Sequence, residues 1–136
     1  MEPLESLFVA EPGSDGYYDL EERTFQFAKS VRLFVKTLPK TVATIEDSRQ
    51  VIRSSGSVGA NYREASDALG DKDRVMRLRI SRKEAKESTY WLRLILETNH
   101  LNNPDEASRL IQEGNELRKI LSAIITNVVD KQKRAA

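Results

Sequence analysis

Apolar residues recur at three- and four-residue steps through four segments of this chain, and no apolar–polar alternation of period two replaces them anywhere. In "DLEERTFQFAKSVRLFVKTLPK", Leu20, Phe27, Val31, Phe34, Val35 and Leu38 make one broad stripe. Asp19 and Glu22 have capping-box spacing, and Pro39 closes the segment. A second helix is predicted from about Val42 to about Ala65, with Ile45, Ile52, Gly59 and Tyr62 near one face. Gly70 then reads as a stop and Asp71 as an N-cap. The third helix, "DKDRVMRLRISRKEAKESTYWLRLILETNHL", is the longest and holds neither Gly nor Pro. In "NNPDEA", Asn103 caps a fourth helix, Pro104 takes its first position, and Asp105 and Glu106 suit its positive end. Ala107, Leu110, Ile111, Leu117, Leu121, Ile124 and Val128 line one side of it until "DKQKRAA" frays. Four such helices joined by short turns predict an all-α, antiparallel up-down four-helix bundle over residues 19–130. A mobile N-terminal arm, residues 1–18, precedes it, and a frayed basic tail, residues 131–136, follows.

The 136 residues suffice for one core and not two. There is no cysteine, which excludes a disulfide framework, a thiol nucleophile and a thiolate metal site. No apolar run approaches a membrane span, and the first residues lack the pattern of a secretory signal, so a cytoplasmic protein is expected. The net charge of +1 hides an uneven distribution. Residues 1–22 carry seven acids and no Lys or Arg; the rest holds all 22 cations against 14 of the 21 acids. A basic body follows an acidic leader.

The stretch "RSSGSVGANYREA", Arg53–Ala65, contains little that is large enough to build a core. It lacks the G-x-x-x-x-G-K-[ST] spacing of a phosphate loop, and its G-x-x-G stands without the sheet a KH module requires. As a helix it has a thin face, where Ser48, Ser55, Gly59 and Tyr62 let neighbouring backbones approach while Phe27, Phe34 and Trp91 fill the space. "IRSSGSVGANYREA" and "KEAKESTYWLRLI", in this order and separation, resemble the four-helix bundle family of 23S ribosomal RNA intervening-sequence proteins, itself similar to the accessory protein of diversity-generating retroelements. The similarity covers roughly residues 20–125. It implies a small antiparallel bundle that assembles into a ring, typically a homopentamer, with a nucleic-acid role and no known catalysis.

Arg79, Arg82, Lys83, Lys86 and Arg93 share a stripe of the third helix with Tyr90 among them, and Arg74 and Arg77 stand at its start. Such a stripe can track phosphates, or it can simply be a solvated face. Glu84, Glu87 and Trp91 are also one turn apart, so carboxylates near a core-facing Trp91 need partners. Arg53, Asn61, Ser55 and Tyr62 are the candidates, and Arg53, Asn61, Glu84 and Glu87 are expected to form a structural polar layer. The same glutamates could make a general acid–base pair, but no nucleophile or oxyanion motif accompanies them. Glu97 and His100 have Glu-x-x-His spacing; with a single histidine, one chain cannot complete a di-iron site. His100 is instead expected at a helix C-terminus. Phe25, Val42, Ile120 and Ile125 lie off the main seams, and apolar surface of that kind favours self-association.

These residues point to a non-enzymatic, cofactor-free, metal-free homo-oligomer that associates with RNA or DNA through the basic stripe. In that reading the acidic leader folds over the stripe or competes for it. The alternative is a protein-interaction scaffold that engages another protein through Leu4, Leu7 and Phe8 of the arm. A metal or hydrolytic enzyme is the third class.

Overall fold

The computed structural model describes residues 20–135. The expected arm, the Asp19 cap and Ala136 lie outside them. The described residues form α1 (Leu20–Val35), α2 (Val42–Ser66), α3 (Asp71–Thr98) and α4 (Pro104–Ala135), with no strand among them.

Local chemistry sets each boundary. Beyond Val35 the chain tightens, the Thr37 and Leu38 amides bonding to the Phe34 and Val35 carbonyls at 3.0 and 3.2 Å, and Pro39 prevents further helix. Thr41 caps α2, its Oγ1 accepting the Thr44 amide at 3.2 Å. At α3 the expected cap shifts by one residue: Gly70 is the N-cap and Asp71 is already helical. Asp71 and Asp73 instead place their charges in the first turn, against the positive end of the helix. Asn103 caps α4 as expected, its Oδ1 accepting the Glu106 amide at 3.2 Å. α4 runs on to Ala135, past residue 131 where fraying is expected; Lys133 and Arg134 in its last turn suit the negative end.

Pair numbers that run in opposite directions define the packing. Between α1 and α2, Glu21 meets Arg63, Thr24 faces Gly59 and Arg32 reaches Ile52. Between α2 and α3, Thr44 meets Asn99, Ser54 meets Ser88 and Asn61 meets Arg77. Between α3 and α4, Thr89 faces Gly114 and Arg82 reaches Ser122. Each helix thus lies antiparallel to its successor, and Arg23 of α1 closes the ring of contacts onto Glu113 and Glu116 of α4.

The expected α1 stripe is the core stripe: Leu20, Phe27, Val31, Phe34 and Leu38 are buried and Val35 packs against them. Tyr62 of α2, Leu78, Leu92 and Ile95 of α3, and Leu110, Leu117 and Leu121 of α4 complete the interior. Of the residues expected off the seams, Phe25 and Val42 are exposed, whereas Ile120 packs on the core and Ile125 is buried.

The thin stretch is helical and thin on two sides. Toward α3 it presents Ser54, fully buried, and Ser55 next to it is fully buried as well, its hydroxyl on the Ile52 carbonyl. The Ser54 and Ser88 hydroxyls are 2.8 Å apart, and Ser81 Oγ donates to the Val58 carbonyl at 2.7 Å. Small hydroxyl side chains let the two backbones approach while satisfying their own polar atoms. Toward α1 it presents Gly59, where an added Cβ would stand 2.9 Å from Thr24 Oγ1.

Candidate functional site

The outer face of α3 is the candidate site. Lys72, Met76, Arg79, Lys83, Lys86 and Tyr90 follow one another at alternating steps of four and three, and all six are exposed. Residues at that spacing stay on one side of a helix. The opposite side of α3, Val75, Leu78, Ser81, Ala85, Ser88, Leu92 and Ile95, is buried between α2 and α4, so the core fixes which side faces outward. A shallow depression of about 750 Å³ runs along the first half of the face between Gly70 and Lys83.

The seven arginines and lysines expected to touch phosphate do not act as a set. Arg79, Lys83 and Lys86 are exposed and no ion pair within the described residues neutralises them. Arg82 is half-buried and leans to α4, 3.4 Å from Ser122 Oγ. Arg93 is exposed but bonded to Glu97 one turn on, which holds its proton more tightly than usual. Arg77 turns toward α2, 3.4 Å from Asn61 Oδ1. Arg74 is corrected outright: it is 3% exposed, because its position falls beside Val75 and Leu78 on the inward side.

The polar layer divides in two. Arg53 bridges Glu84 at 3.3 Å and Glu87 at 2.5 Å, and Glu87 also accepts the Trp91 indole N–H at 3.2 Å. The hydrogen bond to Glu87, then the fields of both carboxylates, raise the Arg53 pKa against the lowering effect of burial. Asn61, expected in this cluster, stands instead two turns further along α2, with Arg77 and the Ser57 carbonyl. Glu84 is thereby a buried carboxylate matched to a guanidinium, a structural arrangement with no nucleophile beside it. Nor does His100 serve the end of α3: Asn99 does, donating from Nδ2 to the Ile95 carbonyl at 2.9 Å, while His100 is exposed beyond it. No three His, Asp or Glu side chains converge as a metal group among the described residues.

Sequence reading missed the half-buried clamp from Arg23 to Glu113 and Glu116, since partners ninety residues apart leave no local signal. Both carboxylates hold the Arg23 proton more tightly than usual, the Glu113 hydrogen bond most.

No helix among the described residues is long and apolar enough to cross a membrane. Among curated proteins none matches the chain. A solved structure from Bacteroides thetaiotaomicron, described as a protein with unknown function from the S23 ribosomal protein family, is similar to it. The identity is 31%, with 78% of this chain and 97% of that chain covered at a TM-score of 0.68. Residues 18–123 match the family described as 23S rRNA-intervening sequence protein. With that match spanning most of its length and reaching all four helices, the chain belongs to the 23S rRNA-intervening sequence protein family.

Proposed function

We propose that the protein is a non-enzymatic, cytoplasmic homo-oligomer that associates with nucleic acid through the outer face of α3. The observation that carries this reading is the run of Arg79, Lys83 and Lys86: three exposed cations at successive turns, none neutralised by a carboxylate of the described residues. Cations left unpaired on a rigid helix meet phosphates without first breaking internal ion pairs. Tyr90 at the end of the run is 58% exposed and gives a base a ring to stack on. The printed description of the family names ribosomal RNA, which makes RNA the first probe. Self-association is supported by the exposed apolar side chains Val42, Ile45 and Leu69.

Binding of a fluorescent RNA duplex, titrated at low and high salt, tests the reading. The double variant Lys83→Glu/Lys86→Glu should weaken binding at least about tenfold at low salt and flatten the salt dependence. Unchanged affinity would remove the α3 face from the function. Light scattering on the same samples reads the assembly: a mass of one chain would overturn the homo-oligomer. A partner bound with little salt dependence would favour the protein-interaction scaffold instead.

A further inference from the structure

α1 and α2 enclose a groove on the side away from α4. Its first part, about 590 Å³, begins at Glu21, the second residue of α1, and is floored by Gly56, Gly59 and Ala60 of α2. Phe25 and Leu33 stand along its α1 wall, 59% and 52% exposed. Past Arg32, whose guanidinium reaches the Ile52 carbonyl, a second depression of about 490 Å³ lies between the end of α1 and the start of α2, along Ile45 and Ile52. Gly56 and Gly59 add no side chain to this floor, Thr24 packing against Gly59 and the Arg32 tip against Gly56, while Phe25 and Leu33 stand uncovered along the wall.

The charge around this groove is one-sided. Lys29, Arg32 and Arg63 line the first depression, and Lys36, Lys40 and Arg49 line the second. Arg32 donates to two backbone carbonyls, Ala28 and Ile52, and meets no carboxylate among the described residues. The acids in the lining, Glu21 and Glu22, both stand at its mouth, and Glu21 is taken by Arg63 at 3.1 Å. A fitting occupant is therefore acidic, carries a few large apolar side chains close together, and arrives at the start of α1.

The chain carries such a segment immediately before α1 in sequence. Residues 1–19 hold Glu2, Glu5, Glu11, Asp15 and Asp19 with no Lys or Arg, and Leu4, Leu7 and Phe8 fall within five residues. Leu33 lies about 20 Å along α1 from Leu20 at the helical rise. The eleven residues between Phe8 and Leu20 span up to about 36 Å when extended, enough to bring Phe8 back to that level. We propose that the leader seats Leu4, Leu7 and Phe8 in the α1–α2 groove of its own chain, with its carboxylates against Lys29, Arg32 and Lys36. The cover is then intrinsic to the chain, and the α3 face stays clear of the leader.

The absence of native cysteine makes the test direct. In the full chain, Ser6→Cys is paired in turn with Ala60→Cys in the groove, Lys83→Cys on α3 and Ala123→Cys on α4. Disulfide formation is followed in dilute protein under a fixed glutathione buffer. The Ser6–Ala60 pair should close within one chain at least tenfold faster than either other pair. Replacing the exposed Leu33 by Asp, with helix content unchanged by circular dichroism, should bring its rate down to theirs. Equal rates for all three pairs, or no effect of Leu33→Asp, would overturn the proposal. So would faster closure at Lys83, which would place the leader on the basic face, or a product that links two chains, which would give the groove to a second copy.

Discussion

Gly114 is buried where α4 crosses both α3 and α1, and a Cβ there would stand 2.5 Å from Thr89 Cγ2 and 3.5 Å from Phe27. Thr89 has little freedom to give way, because it is β-branched and its hydroxyl donates to the Lys86 carbonyl at 2.7 Å. Gly114→Ala should therefore lower stability by about 1–3 kcal/mol in a denaturant titration, the overpacking outweighing the roughly 1 kcal/mol of helix propensity it gains. Gly56 is the contrasting case. Its added Cβ would meet the tip of the exposed Arg32 side chain at 3.1 Å, and that tip can move. Gly56→Ala should leave stability unchanged or raise it by up to about 1 kcal/mol in the same titration. At Arg53, removal of the guanidinium would strand the buried Glu84 carboxylate. Arg53→Ala should cost about 1–2 kcal/mol, and Arg53→Ala/Glu84→Gln should recover most of it in a double-mutant comparison.

At the scale of the element, α2 packs much of its seam through small hydroxyl side chains. Its buried residues include Thr44, Ser48, Ser54 and Ser55, and its long apolar partners come from the neighbouring helices. A single large side chain on this seam should act on the whole pairing: Ser54→Leu faces Ser88 with no space and should cost about 3 kcal/mol or more, read as a loss of thermal midpoint. α1 has the opposite character. It is the shortest helix among the described residues, 16 residues long, packs mainly on α2 and reaches α4 at Arg23 and Phe27. Arg23→Ala removes the bidentate contact to Glu113, at 2.7 and 2.9 Å, and the contact to Glu116. Hydrogen exchange along α1 should accelerate in that variant while α3 amides keep their protection. Equal acceleration in both helices would mean that α1 does not open separately.

At the scale of the whole molecule, the stripe of α3 decides how binding responds to salt. Three phosphate contacts per chain predict that log affinity for single-stranded RNA falls against log salt with a slope of about −2 per bound chain, and a slope near zero would count against the charged face. The bundle itself was legible before any coordinates, since apolar positions spaced by three and four, interrupted at Pro39, Gly70 and Pro104, admit helices and no sheet. Helix starts with chemistry of their own, such as Asn103 and Pro104, were legible too. So was the thinness of Arg53–Ala65, because Ser and Gly cannot fill space wherever they are put. The sequence alone could not say how far each cation of one helix turns inward: the rotation that buries Val75 and Leu78 takes Arg74 in with them and leaves Arg77, three residues on, half-buried against α2. Nor could it pair Arg23 with Glu113, or separate Asn61, which meets Arg77, from the expected layer of Arg53 with Glu84 and Glu87. Periodicity is a property of each helix and is written locally, so the sequence determined the four helices and their inward stripes. Rotation and register are properties of pairs of helices, set by how closely backbones approach at Gly59, Ser54 and Gly114, and only the tertiary structure decided them.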